Sequence, residues 1–362
     1  MATQTATLES GIPFARASSW KSRILALLLL LGIAGYFWVG SRYPALYKKY
    51  TQGTSVKVTG AITFGTVYAV DRGMPLQQRV WRTSVNWLQA NEIGMTFGFF
   101  FGAAALTFLA MLPRHRTSNR YLNALIGAAT GAPLGVCANC VAPVARGLYA
   151  SGMSTESVLA AMFSSPSLNV IVLAMAFALF PLPVVALKMA TVALLIFAVA
   201  PMIGARQTHP VAPSCPISIS PSDTWGHAFR STAASFVKSF WYVFKIGAPL
   251  MLLAALLGAL VIELLPQNPF TAHVTLAGIV LVALIGAFLP VPMAFDVVIA
   301  YLAMTRGVPL PYVVALLCTL GIYSVYSFSV VGRTISWKVA AAVYGAVALL
   351  GVLAGLTAAL LP

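Results

Sequence analysis

The sequence predicts an all-α, polytopic membrane protein with about 8–10 helical segments in two pseudo-repeats that contain broken helices. Hydrophobic residues fill 60% of the 362 positions and charged residues only 8%, whereas roughly a quarter of the residues of a soluble domain are charged. Apolar runs of about twenty residues recur along the chain, and each can cross a hydrocarbon core about 30 Å thick. These runs are continuously apolar, which favours helices over the alternating strands of a barrel.

The charge balance is strongly basic, with a net charge of +15 from 22 basic and 7 acidic residues. The basic residues flank apolar runs, as at Lys21, Arg23 and the loop 114–120. Cations in such positions set topology and contact anionic lipid, so we expect the lipid bilayer as a partner and no nucleic acid. The loop 114–120 is the densest basic cluster between spans, which places it in the cytoplasm and residues 41–92 outside. We expect a multi-pass protein of the cell inner (plasma) membrane.

Composition divides the chain into six segments. A polar tail (1–22) precedes a membrane anchor (23–40), for which a secretory signal is the competing interpretation; the residues that follow lack a clear cleavage site. The other segments are an extramembrane or interfacial segment (41–92), a first repeat (93–204), a linker loop with four prolines (205–232) and a second repeat (233–362). We expect an amphipathic interfacial helix near Leu76–Ala90.

Each of the two repeats combines apolar spans with interrupted stretches. The first begins with a span near Ile93–Leu112, followed by an apolar region that Gly and Pro interrupt repeatedly. The second contains a broken segment at Pro290–Gly307. Its expected spans are Val237–Leu265, Thr275–Leu289, Pro311–Val331 and Val339–Leu361.

An offset of 155 residues aligns the two interrupted stretches. It pairs Gly131 with Gly286 and Gly152 with Gly307, among other Gly and Ala identities. Paired, interrupted hydrophobic segments in two halves indicate a binding site near the membrane midplane. The sequence leaves open whether the repeats are inverted or parallel.

The stretch GAPLGVCANCVAP holds the strongest candidate site. Pro133 and Pro143 each lack a backbone donor, so we expect helix breaks there, and such breaks are tolerated at membrane depth only beside protein or a water-filled cavity. The C-x-x-C spacing brings Cys137 and Cys140 to one side of a turn, where they can hold one soft metal(loid) ion or form a disulfide. Structural zinc would need two further ligands. The alternative is a pair of small apolar cysteines packed in the interior.

Polar residues near the breaks are further candidates for substrate binding, namely Asn139, Ser165 and Asn169. Ser165 and Asn169 flank a second expected break at Pro166, and both could instead serve as interhelical hydrogen-bonding groups. Pro290 and Pro292 define the break in the second half.

Arg146 and Asp296 are ionisable groups inside apolar segments, which are functional by default. We expect them either to pair with each other, to take part in proton coupling, or to lie solvated at the membrane boundary. Lys188 and Glu263 are expected to extend to the interface from span ends. The cluster Ser324, Ser327, Tyr323 and Tyr326 either lines the same cavity or packs as an aromatic group.

These motifs resemble the predicted permeases related to the ArsP-type organoarsenical efflux proteins. The resemblance covers roughly residues 90–335. Its motifs are Gly131-x-Pro133 before the cysteine pair, Pro143-x-x-x-Gly147-Leu148, Gly152, Ser165-Pro166-x-x-Asn169, Gly247-Ala-Pro249 and Pro290-Val-Pro292 ahead of Gly307. It implies a secondary transporter of two repeated halves, with Cys137 and Cys140 as the thiols that recognise trivalent arsenic. The family often has the closer spacing Cys-x-Cys, so the spacing here argues less firmly for an arsenical.

The sequence therefore favours an efflux permease for a small thiophilic solute or metal(loid), with no catalytic residues and no cofactor. No G-x-x-x-x-G-K-[ST] motif occurs, so an ion gradient or a separate partner would drive transport. A membrane thiol-disulfide electron relay is one alternative. Another is a non-transporting subunit that joins a homo-oligomer or a partner subunit through residues 41–92.

Overall fold

The computed structural model describes residues 19–44, 47, 67–71, 73–112, 118–207, 224–264 and 274–361. Throughout these ranges the regular structure is helical, as predicted. Five helices in the described residues are long and apolar enough to cross a membrane, and a sixth span exists if the bent pair Thr155–Ser167 and Val170–Leu179 is counted as one. The chain is a multi-pass helical membrane protein.

The first half begins with two long helices. Helix α1 (Trp20–Phe37) continues through a π-helical turn, Trp38–Arg42, and α2 (Leu76–Leu109) follows. Shorter helices come next, and the last two of them are joined by the π-helical turn Leu195–Val199 into one candidate span, Leu182–Ala205. They are α3 (Arg120–Gly131), α4 (Ala138–Ala150), α5 (Thr155–Ser167), α6 (Val170–Leu179), α7 (Leu182–Leu194) and α8 (Ala200–Ala205).

The second half of the chain contains six helices in its described residues. A 40-residue helix, α9 (Trp225–Leu264), packs along α2. The remaining helices are α10 (Leu276–Phe288), α11 (Phe295–Thr305), α12 (Leu310–Leu317), α13 (Val325–Thr334) and α14 (Trp337–Ala358).

Helices α4 and α5 form the centre of the molecule. Every residue of both is buried, although α4 is only moderately apolar. The long helices surround them and turn leucine and aromatic side chains outward, as at Trp241, Leu252 and Leu353. These outward apolar side chains are suited to contact with lipid. Polar groups must find their partners inside the protein, because lipid offers none.

Two boundaries differ from the sequence predictions. The expected interfacial helix near Leu76–Ala90 and the span near Ile93–Leu112 form one continuous helix, α2, because no helix-breaking residue separates them. The expected span Pro311–Val331 is two helices, α12 and α13. Gly321, at φ 78°, lies in the connection between them, in a conformation that glycine adopts without strain.

Several predictions concern residues outside the described ranges. They include most of the N-terminal tail, the cytoplasmic basic loop, the prolines of the linker, Cys215, and most of the part of 41–92 that precedes α2, with its proposed role in association.

Candidate functional site

The chain is interrupted between α3 and α4, directly ahead of the cysteine pair. Helix α3 ends at Gly131, one 3-10 turn covers Ala132–Leu134, and Gly135 adopts the left-handed conformation with φ 58°. Gly135 can do so because it has no Cβ atom. The chain then re-enters a helix at Cys137, the N-cap of α4. Pro133 lies within this interruption.

Cys137 and Cys140 lie together on the first turn of α4. The amide of Cys140 donates a hydrogen bond to Sγ of Cys137 at 3.3 Å. Both thiols are free, and the residues are only 4% and 2% exposed. Sγ of Cys137 also donates to Oδ1 of Asn91 on α2, 3.6 Å away. The pair therefore presents two adjacent sulfurs inside the protein.

A row of glycines on α2 lets that helix pack directly against the cysteines. A Cβ atom added to Gly94 would lie 2.6 Å from Sγ of Cys140, and one added to Gly98 would collide with the carbonyl oxygen of Cys140. Gly102 faces the carbonyl of Pro143 in the same way. The spacing of four residues is the small-xxx-small pattern of close helix packing in membranes. We did not select these glycines from the sequence, although that pattern is visible in it.

Asn139 connects the two interrupted regions. Its side-chain nitrogen donates to the carbonyl of Val291 at 3.0 Å, and its Oδ1 accepts a hydrogen bond from Ser324 at 2.8 Å. Ser327 donates to the carbonyl of Ala138 at 2.8 Å. The cysteine-bearing turn is therefore held against residues of the second half.

Ser165 and Asn169 also hydrogen-bond near the break. The Ser165 hydroxyl lies 3.3 Å from both the amide and the carbonyl of Val136. Asn169 caps α6 by accepting from the amide of Ile171 at 2.9 Å, and its Nδ2 lies 2.9 Å from the sulfur of Met293. Both side chains thus support the broken backbone, and Asn169 reaches across to the second half.

The prolines differ in their effect. Pro290 and Pro292 lie in the non-helical connection between α10 and α11. Pro143 lies inside α4, which continues past it, so the expected break at Pro143 is wrong. Prolines are tolerated inside membrane helices when the surrounding protein satisfies the backbone groups that they free. Pro166 lies in the last turn of α5, and the bend follows at Leu168 and Asn169.

Two tryptophans satisfy carbonyls that the breaks leave without helical partners. The indole nitrogen of Trp38 donates to the carbonyl of Pro133 at 2.9 Å. The indole of Trp87 donates to the carbonyl of Pro290 at 2.5 Å. Unsatisfied backbone groups are costly in a membrane interior, so these contacts stabilise both interruptions.

The expected pairing of Arg146 with Asp296 is wrong. Arg146 donates to the carbonyl of Tyr242 and to the hydroxyl of Thr334, each at 3.2 Å, and stacks on the Tyr242 ring. Asp296 instead pairs with Lys188 at 2.6 Å. Their partners come from distant helices that local sequence does not reveal.

The expectation that Lys188 extends to the interface is also wrong. Lys188 is 0% exposed and donates both to Asp296 and to the carbonyl of Leu317. Glu263, by contrast, is near the end of α9. It accepts a hydrogen bond from Thr83 at 2.9 Å and forms an ion pair with Arg79 at 3.2 Å.

The tyrosines of the second half are buried close to the site. The hydroxyl oxygens of Tyr323 and Tyr326 are buried and have no hydrogen-bond partner among the residues that the structure describes. Both tyrosines belong to the same buried cluster as Cys137 and Cys140. A buried unpartnered hydroxyl calls for an explanation, and a polar ligand would supply one.

Cys137 and Cys140 are the candidate soft ligands of this region. In the part of the chain that the structure describes, no group of three or more His, Cys, Asp or Glu residues could hold a metal ion. Cys318 is also buried and free, but it is in the connection after α12. The arrangement suits a single soft atom bound by two thiols, since thiolate ligands select soft species.

Comparison with known proteins identifies one family. Residues 93–360 match the family model ArsP_1, described as a predicted permease. None of the curated proteins matches the chain, and none of the solved structures does. The match begins within α2, so it excludes α1 and the π-helical turn that follows it.

Proposed function

Because this chain belongs to the predicted permease family ArsP_1 and is a multi-pass membrane protein, we propose that it is a secondary transporter that exports a small thiophilic solute or metal(loid). Cys137 and Cys140 bind the solute. One observation carries this assignment. Two free thiols lie inside the protein, on the first turn of a helix that follows a break, where residues of the two halves meet.

The chemistry of the pair supports a soft substrate. Two sulfurs one turn apart can coordinate a single trivalent arsenic, antimony or copper(I) centre, all of which prefer sulfur to oxygen. Cys137 is the N-cap of α4, and the positive end of the helix favours negative charge at its sulfur. Asn139, Ser165 and Asn169 hold the surrounding backbone in place.

Two pseudo-repeats would allow the site to open to one side of the membrane and then to the other. Adding 155 to the bounds of α6, Val170–Leu179, gives those of α13, Val325–Thr334. The same offset relates the last residues of α2 and α9, Leu109 and Leu264, and the first residues of α7 and α14, Leu182 and Trp337. These coincidences extend the sequence offset to whole helices, which supports two pseudo-repeats.

Contacts between the halves are reciprocal, which also supports this proposal. Helix α4 packs on α13, and their counterparts under the offset, α11 and α6, pack on each other. Ser324 caps α13 and bonds Asn139, while its counterpart Asn169 caps α6 and contacts Met293. Reciprocal contact of this kind is typical of an approximate two-fold relationship. Rocking of one half against the other would then expose the site to each side in turn.

Asp296 and Lys188 are the proposed coupling groups. Asp296 is in the first turn of α11, just after the second interruption, and one position beyond the counterpart of Cys140. A buried ion pair at membrane depth is expensive and commonly marks a proton or ion pathway. Measuring pH-driven export by Asp296→Asn tests this role; full retention of the flux would rule it out.

The proposal also includes the direction of transport, which is export, and the location of the protein, which is the inner membrane. The sequence contains no Walker A motif, so transport would use an ion gradient across the inner membrane. Export predicts that cells expressing the protein accumulate less substrate and survive higher concentrations of it.

A resistance and accumulation screen across arsenicals, antimony and copper tests the proposed function. Cells carrying the parent chain should resist at least one of these and accumulate less of it. Cys137→Ser/Cys140→Ser should abolish both effects at equal protein level in the membrane. An unchanged phenotype in this double variant would contradict the assignment of the site.

The electron relay is a second candidate, because an N-cap cysteine bonded to the amide of its C-x-x-C partner is also the geometry of a redox-active pair. Alkylation trapping separates the two functions. A transporter keeps the pair reduced during turnover, whereas a relay cycles it through a disulfide. The 155-residue offset places Pro292 and Phe295 opposite the cysteines, which gives a relay no second thiol pair there.

A further inference from the structure

The segment that follows α1 lies against the cysteine site. Helix α1 packs on α2 and α9, and its π-helical continuation brings Trp38 onto the carbonyl of Pro133. Arg42 is the last residue of that turn. This segment lies outside the residues that match the permease family. Its side chains therefore join the site from a segment that precedes the matched residues.

Arg42 is buried, and its guanidinium does not use all of its hydrogen-bond donors. It is 8% exposed, and its Nε atom is buried without a hydrogen-bond partner in the described ranges of the chain. Its guanidinium stacks on the ring of Phe37, with 4.4 Å between Cζ and the ring centroid, and Nη1 donates to Ser41 at 3.3 Å. Neither of the two ion pairs in the described part of the chain includes Arg42. A buried guanidinium without a carboxylate is costly, so a role in binding would explain its position.

The Arg42 side chain lies against the interrupted backbone at Gly135. A Cβ atom added to Gly135 would lie 3.8 Å from both Cδ and Nε of Arg42, and 3.5 Å from Nδ2 of Asn169. Gly135 is two residues before Cys137, the N-cap of α4, so Arg42 lies next to the turn that carries the cysteine pair. Gly135 has no side chain, so the backbone of the break approaches Arg42 closely.

Positive charge and unpartnered hydrogen-bond donors thus lie around the turn that carries the cysteine pair. Arg42 supplies a full charge, the N-terminus of α4 adds a partial one, and the buried Tyr326 hydroxyl is a second unpartnered donor near the pair. Planar guanidinium groups bind carboxylates and related anions through paired hydrogen bonds. The combination fits a ligand that carries both a soft atom and an anionic group.

We propose that Arg42 binds an anionic group of the transported solute while Cys137 and Cys140 hold its soft atom, so that the substrate class is a thiophilic compound bearing a carboxylate or similar anion. The proposal rests on the proposed function, because it assumes that the two sulfurs bind the solute. It goes further by making Arg42, a residue of the N-terminal segment, a determinant of specificity.

Binding of two matched probes to the purified full-length protein tests this role. One probe is phenylarsine oxide, and the other is phenylarsine oxide carrying a carboxylate on its ring; both offer the same arsenic to two thiols. Calorimetry in detergent measures each affinity. The parent protein should bind the carboxylated probe about tenfold more tightly or better, the size expected of a hydrogen bond to a charged group. Arg42→Gln should lose that preference and keep its affinity for the neutral probe.

Two variants serve as controls. Arg42→Lys keeps the charge and should retain part of the preference. Arg23→Gln removes a cation from the beginning of the same helix, about 28 Å away by helical rise, and should leave the preference unchanged. A melting curve for each variant establishes that it is folded.

The possible outcomes separate the two proposals. Thiol-dependent binding of both probes with equal affinity in the parent protein would overturn the role of Arg42. An equal loss of both probes in a folded Arg42→Gln protein would overturn it as well, since Arg42 would then act on the sulfurs and not on a ligand anion. If neither probe depends on Cys137 and Cys140, the proposed function itself fails.

Discussion

The ammonium of Lys188 in α7 lies 2.6 Å from a carboxylate oxygen of Asp296 in α11, and both side chains are buried. The pair thus joins the two proposed halves next to the second interruption. Such a pair adds little net stability over an apolar pair, because desolvation offsets the attraction. The coupling role proposed above would account for an ion pair in this apolar interior.

Removing one partner of this pair should lower the free energy of unfolding far more than removing both. Lys188→Met leaves the Asp296 carboxylate buried and unpaired, which should cost about 3–5 kcal/mol of unfolding free energy. The double variant Lys188→Met/Asp296→Leu should recover most of that stability and still lack pH-driven export. Thermal unfolding in detergent and flux into vesicles measure the two effects. A single variant as stable as the parent protein would contradict the buried ion pair.

Asn139→Ala should loosen the contact between the halves. It removes the hydrogen bonds to Val291 and Ser324 and leaves a buried carbonyl and a buried hydroxyl with fewer partners. We expect a loss of about 2 kcal/mol or more. Ser329→Ala is the control, because Ser329 bonds only the carbonyl of Val325 in its own helix. Equal melting temperatures for the two variants would show that the Asn139 bridge is unimportant.

Gly98→Ala should displace the cysteine turn. The added methyl group would collide with the carbonyl oxygen of Cys140, a backbone atom that cannot rotate away. Overpacking of this kind costs about 1–3 kcal/mol, and the variant should also bind phenylarsine oxide more weakly. Gly345→Ala in α14 has open space around the new methyl group and should be neutral or stabilising by up to about 1 kcal/mol. Unimpaired binding by a stable Gly98→Ala protein would argue against close packing of α2 on the site.

Local sequence predicted the parts of the structure that depend on local chemistry. Continuous apolar runs predict membrane helices, and the family assignment from residues such as Gly131, Pro133 and Asn169 is confirmed by the family match. The Pro133 turn lies where proline and glycine exclude a regular helix. The prediction for Pro143 was wrong because a single proline is tolerated when its neighbours remain helical.

Contacts between distant helices were not predictable in the same way. The partner of Asp296 depends on which helix the fold brings to α11, and no local pattern distinguishes Lys188 from Arg146 in that respect. Trp38 and Arg42 were not identified as site residues, because Trp38 is in the predicted anchor (23–40) and Arg42 in the predicted extramembrane or interfacial segment (41–92). The glycine row at Gly94 and Gly98 carries a recognisable spacing, and applying the small-xxx-small pattern would have identified the face of α2 that contacts the cysteines.

Arsenic K-edge X-ray absorption on the purified protein tests the central assignment most directly. The sample is the full chain with phenylarsine oxide in a Cys215→Ser/Cys318→Ser background, so that Cys137 and Cys140 are its only thiols. The account predicts one bound arsenic coordinated by two sulfur atoms, and no arsenic–sulfur scattering once Cys137→Ser and Cys140→Ser are added. Arsenic bound through oxygen alone, or no bound arsenic in a folded sample, would contradict the assignment of the cysteine pair as the binding site.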